Sequence, residues 1–289
     1  MLRVFLQAGH AIHFANPSDR PIGYWSGRQS EGGQRFYLEN SELLLDSPGE
    51  WFLRPNPGNS NSDGGGTLMY IPLKGEDMAV VDAKLPVATD LLVLAGAVDV
   101  ELRSVTIAHS DWQCGGITKT EPCDQQSAQF QAGAAVRVMP SVDVPHPNRI
   151  VLAGVKLLRH GQNALWIDGG CSRVTFDGGT VADLGTGGIR VGHAHAIGAH
   201  GPPLPAAAVS DVTITNSVLS DAGWVFPAGT GIFVQSGVAD VTIAHNEIYE
   251  FSYTAISLGW NWNYAPQPFT GGHLVVKNRI HHLGFPRRE

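Results

Sequence analysis

Asp183, Asp221 and Glu250 hold the same place in three successive segments, "VADLG", "LSDAG" and "IYEFS". His109 in "IAHS", Arg159 in "LLRHG" and His282 in "IHHLG" extend this polar column. Carboxyl groups stacked this closely divide into one acid and one carboxylate, because like charges raise the proton affinity of one of the pair. Cleavage of a glycosidic bond needs that division: one group protonates the leaving oxygen, and the other attacks the sugar or activates water. Asp221 and Glu250 form the leading catalytic pair, with Asp183 as the alternative partner. Arg159 and His282 suit a retained carboxylate or a sugar hydroxyl. The plainer reading is that these acids cap turns at chain corners, as Asp commonly does; the sequence leaves both open.

A second group contains Arg190 and His193 in "GGIRVGH", His195, Gln235, and the run "GWNWNY" with Trp260, Trp262 and Tyr264. Alternation in an extended segment turns the two indoles one way and the amides of Asn261 and Asn263 the other. Flat rings meet sugar C–H faces while amides and imidazoles bond hydroxyls, so these residues are read as substrate-binding. The rings can equally close the top of an apolar stack. Arg190, two residues past Gly188, either faces solvent or pairs with Asp183, and Trp166 reads as core or loop packing.

Such columns require a repeating scaffold, and the chain from residue 90 onward repeats. Six units share one pattern: 91–112, 134–161, 164–185, 188–223, 231–252 and 255–284. Each carries three short runs of alternating apolar residues, such as Ile232 to Val234, Val241 to Ile243 and Ile248, cut by Gly, Asn, Asp or Ser. Period-two alternation means strands, and strands this short with corners every seven or eight residues do not make ordinary hairpins. They make the coils of a right-handed parallel β-helix, in which each strand pairs with its equivalent one coil later. A β-sandwich has similar turn spacing but does not explain units that align in phase. Equivalent positions then lie about 4.8 Å apart on adjacent coils. A retaining glycosidase holds its carboxyls about 5–5.5 Å apart and an inverting one about 6.5–9.5 Å. Adjacent coils therefore favour a retaining pair.

Residues 1–89 differ, with aromatic strands at Phe36–Tyr37, Trp51–Phe52 and Leu68–Tyr70 around a Gly/Asn/Ser loop. They read as a small antiparallel β domain capping the solenoid of residues 90–289. Long insertions at 113–133 and 193–208 are of the kind that shape sites.

The composition narrows the partners. With a net charge of -7 and 16% charged residues, the chain lacks the basic stripe that nucleic acid requires. No apolar run reaches the roughly 18 residues of a membrane helix. The opening "MLRVFLQAGHAIHFAN" has too short an apolar core for a secretory signal, so the chain is read as cytosolic or as starting downstream of its natural N-terminus. Of three cysteines, Cys114 and Cys123 either pair across a Gly-rich loop or stay free, and Cys171 reads as a small buried residue. No metal-finger spacing occurs, and no cofactor is expected.

In order, "FYLENSELLLDSPGEWFL", "GTLMYIPLKGEDM", "VTIAHSDW", "ALWIDGGCSRV", "VADLGTGGIRVG" and "YTAISLGWNW" resemble the run of motifs in glycoside hydrolase family 141, over most of the chain. The resemblance implies a β-helix enzyme of the pectate-lyase-like superfamily with an N-terminal β domain. It also implies activity on plant or algal cell-wall glycans, of the α-L-fucosidase or xylanase kind, and a secreted location. Two departures stand out: His193 follows "GGIRVG" where the family carries Glu, and the chain ends at "HHLGFPRRE" where the family continues. The resemblance thus implies a truncated solenoid, with one catalytic acid lying beyond it.

Two other functions fit the same scaffold. A β-helix polysaccharide lyase abstracts a proton beside a uronate with Lys or Arg and holds Ca²⁺ with clustered acids; few basic residues, chiefly Arg159, Arg190 and Lys277, are available in the repeats. A catalytically inactive carbohydrate-binding fragment is the third. An open final coil leaves unpaired backbone and apolar surface, which predicts self-association at that edge.

Overall fold

The computed structural model describes residues 4–8, 11–14, 41–56, 66–112, 133–192, 208–235, 237–260 and 270–284. The chain divides into two compact units, Arg20–Lys84 and a larger one joining Met1–Asp19 with Leu85–Glu289. In the smaller unit Trp51–Pro55 pairs antiparallel with Gly66–Tyr70. A 3-10 turn at Glu42–Leu44 is tied to the hairpin by the Arg54–Glu42 ion pair.

The larger unit contains the six coils. Their first strands are Leu92–Ala95, Ala134–Met139, Asn163–Ile167, Ile189–Val191, Ile232–Gln235 and Ile256–Trp260. The second strands are Val98–Arg103, Asn148–Ala153, Ser172–Asp177, Ser210–Thr215, Val241–Ala244 and Leu274–Val276. The third are Thr106–Ser110, Lys156–His160, Thr180–Leu184, Val218–Ala222, Glu247–Phe251 and Arg279–His281. Each set forms one six-stranded sheet in coil order, and every pairing between coils is parallel. The architecture is a right-handed parallel β-helix, all-β as the repeats require.

Inward residues stack as ladders. One runs Leu102, Leu152, Phe176, Ile214, Ile243, Val275, and another Ile107, Leu157, Val181, Leu219, Ile248, Ile280. Their middle members are sealed from water. Cys171 is a free, buried member of this core, and burial pushes its thiol up to about 12; Cys114 and Cys123 lie outside the described residues. Amide side chains seal the corner between second and third strands. Asn246 accepts from the Ser217 N–H and Asn278 from the Asn246 N–H, both at 3.0 Å, while their Nδ2 groups donate to the carbonyls of Ile214 and Ile243.

The corner from third to first strand explains the glycines of "DLGTGGIRVG". A Cβ on Gly185 would lie 2.1 Å from the Gly161 carbonyl oxygen, and one on Gly188 2.4 Å from that of Gly231. Backbones of successive coils touch there, so no side chain fits.

His160 is the one imidazole in an inward ladder among the described residues, between Ser110 and Leu184. It is 2% exposed and held down at about 4. Burial is the main cause; a hydrogen bond with the Ile107 backbone opposes it and the charge of His109 adds to it. The unfolded chain takes up this proton near 6.5 and the folded chain only near 4. His160 therefore lends its full stability above about pH 6.5 and loses it progressively down to about pH 4, a span of about 3 kcal/mol. Urea unfolding at pH 7 and pH 4.5 is expected to show a smaller difference in His160→Leu than in the wild type; equal differences would contradict it.

Candidate active site

Arg159, Asp183, Asp221, Glu250 and His282 do form one column, along the outer edge of the third sheet. Leu158 pairs with Ala182 and His160 with Leu184, which sets Arg159 beside Asp183. Ser220 pairs with Tyr249 and Ala222 with Phe251, which sets Asp221 beside Glu250. The Glu250 N–H donates to the His282 carbonyl at 2.9 Å, adding the next rung.

The backbone of this column is unusual. His109, Arg159, Asp183, Asp221, Glu250 and His282 all have positive φ, between 51° and 66°. Two more such columns mark the other corners: Asp99, Arg149, Arg173, Asp211, Asp240, and Ser104, Asn216, His245, Lys277 with Gly154 and Gly178. Each coil thus bends through the left-handed region three times. Asp and His tolerate that region well, and Glu and Arg do so less. Turn chemistry therefore accounts for Asp183 and Asp221 but gives no reason for the longer side chain of Glu250. A residue with a Cβ pays about 1–2 kcal/mol for this conformation, of which glycine returns part after its own entropy cost. Arg159→Gly and Glu250→Gly are each expected to gain about 0.5–1 kcal/mol in urea unfolding; a destabilised Arg159→Gly would contradict the strain.

Asp183 lies 3.7 Å from Arg159, both side chains more than half exposed, so the pair adds little stability. This settles one alternative for Arg190: it neither faces solvent nor pairs with Asp183. It lies on the first sheet, where inward Ile189 and Val191 turn it to the outer face, yet it is 1% exposed.

Arg190 belongs to a stack. Trp166 pairs with Arg137 on one side and Arg190 on the other, and the guanidinium carbons lie 4.7 Å and 4.3 Å from its ring centroid. Trp166 is buried, as expected, but outside the inward apolar cluster: its indole is held between two cations on the outer face. Its Nε1 donates to the Gly192 carbonyl at 2.8 Å. Arg137 reaches Asp168 at 3.4 Å and Asp90 at 3.7 Å, and Arg190 Nε donates to Gln235 Oε1 at 3.3 Å. Burial lowers Arg190 to about 9, with Asp168 opposing the shift and Arg137 adding to it. Arg137 and Asp168 escaped the sequence reading, although "VRVM" and "LWID" align with "IRVG".

Trp260 ends the sixth first strand, its backbone paired with Gln235. His193, Trp262 and Tyr264 lie outside the described residues.

A solved structure described as "Glycoside hydrolase" resembles this chain with a TM-score of 0.63 at 18% identity, covering 84% of this chain and 49% of its own. The likeness is one of fold, and this chain spans about half the length of that protein. No family model matches the chain, and no curated protein matches it.

Proposed function

We propose that the chain is a glycoside hydrolase of the family 141 kind that cleaves a plant or algal cell-wall glycan with retention, Asp221 and Glu250 being its carboxylate pair. One observation carries this reading: the pairs Ser220 with Tyr249 and Ala222 with Phe251 hold the two acids on adjacent rungs. A rung is about 4.8 Å, close to the separation a retaining pair needs. The fold neighbour described as a glycoside hydrolase supports the reaction class. Asp183 is the alternative partner one rung further, and Arg159, His193, His282, Trp260, Trp262 and Tyr264 are proposed to contact sugar; Arg190, sealed at 1% exposure, is not among them. Assay of aryl α-L-fucosides and xylo-oligosaccharides tests this: release of aglycone or shorter oligosaccharides is expected, and binding without cleavage would leave a carbohydrate-binding module instead.

A polysaccharide lyase is the second reading, with Arg159, exposed on the column of the third sheet, as its base. Among the described residues no group of three His, Cys, Asp or Glu is arranged to hold the Ca²⁺ such an enzyme uses. Products absorbing in the ultraviolet identify the lyase.

A further inference from the structure

Beside Glu250, the outer face of the third sheet carries a chain of three titratable side chains that the carboxylate pair alone does not use. Glu247 is paired with Arg279 and Tyr249 with His281 across coils five and six. Glu247 Oε1 lies 3.1 Å from His281 Nε2 and accepts from Arg279 Nη1 at 2.9 Å. His281 Nδ1 lies 2.5 Å from His282 Nδ1. Tyr249 stacks on His281 at 5.0 Å with 7° between planes, which holds the imidazole in its place.

These contacts determine the protons. A carboxylate only accepts, so His281 Nε2 carries a hydrogen toward Glu247. The neutral ring then presents a lone pair at Nδ1. Two imidazole nitrogens in contact need one hydrogen between them, so His282 donates from Nδ1. The basic nitrogen of His282 is left as Nε2.

We propose that Glu247 and His281 are positioning residues that lock His282 in its Nδ1–H tautomer, so that His282 serves as a proton relay next to Glu250; this role rests on the glycosidase reading above. When Nε2 of His282 takes a proton, its Nδ1 proton passes to His281 Nδ1, and the His281 Nε2 proton moves toward Glu247. One proton enters at His282 and the positive charge is shared along the chain toward a carboxylate. Returning it through the same atoms restores the starting state, so no co-reactant is consumed. The backbone bond from Glu250 to His282 keeps the relay on the rung beside the acid it would serve.

Long-range ¹H–¹⁵N spectra of the ¹⁵N-histidine-labelled chain, with the imidazoles neutral, are expected to show His281 protonated at Nε2 and His282 at Nδ1. Glu247→Ala is expected to scramble both. His281 protonated at Nδ1 in the wild type would overturn the proposal, as would unchanged tautomers in Glu247→Ala; the wild-type spectrum decides even if the variant does not fold. On whichever glycoside is cleaved, His282→Gln is expected to lower kcat about 100-fold, the lower end of what one acid–base group supplies. Unchanged kcat would overturn the relay. Absence of cleavage by the wild type would sink the glycosidase reading and the relay's part in turnover, whereas the tautomer order is decided by the spectra alone.

Discussion

Asp221→Asn and Glu250→Gln are each expected to lower kcat for glycoside cleavage by about 10²–10⁴-fold, with substrate binding retained. Both changes keep side-chain size and hydrogen-bonding capacity, so the loss reads the carboxyl chemistry and not the fold. The acids occupy equivalent left-handed positions on adjacent coils, and the isosteric amides leave those backbones undisturbed. The double variant is expected to be little worse than either single one, because groups acting as a unit are far from additive. If Asp183→Asn proves as damaging as Glu250→Gln, the pair is Asp183 with Asp221, one coil earlier. Isothermal titration beside the kinetic assay separates the two parameters. Equal activity in all three variants would remove the column from the chemistry.

Arg190→Ala is expected to cost about 3–5 kcal/mol of folding stability, the largest single loss outside the apolar ladders. The guanidinium is sealed at 1% exposure on one face of Trp166, and Asp168, 6% exposed, is the carboxylate that acts on it electrostatically. Truncation removes a buried cation that interacts with Asp168 and opens a cavity against the indole, two costs that add. Arg190→Lys keeps the charge without the planar stack and is expected to fall between the two. Urea unfolding of the three proteins measures this, and a loss below about 1 kcal/mol in Arg190→Ala would mean that the cluster is solvated.

The solenoid was legible because its signal is periodic. Apolar pairs such as Leu165 and Ile167, Ile189 and Val191, and Ile232 and Val234 recur at the same phase, and all six coils follow from that alignment. The polar column was legible as a column, since Asp221 and Glu250 align once their strands do. Its conformation was not: a positive φ at Arg159 or Glu250 has no sequence signature, because neither residue type marks such a bend. Burial on an outer face was also hidden. "IRVG" places Arg190 between two inward residues, which ordinarily means solvent, and only the stack on Trp166 reveals a sealed cation. His281 was hidden for a similar reason. Its neighbour in the chain lay on the aligned column, whereas its own partners, Glu247 and Tyr249, come from the coil before.

Asp221 and Glu250 stand on adjacent rungs, and catalysis by carboxyl groups so placed has a stereochemical consequence. Proton NMR of the first sugar released from an aryl glycoside, recorded before mutarotation, reads it directly. Release with the substrate's own anomeric configuration is the predicted result; release with inverted configuration would contradict the pairing of Asp221 with Glu250 on adjacent coils.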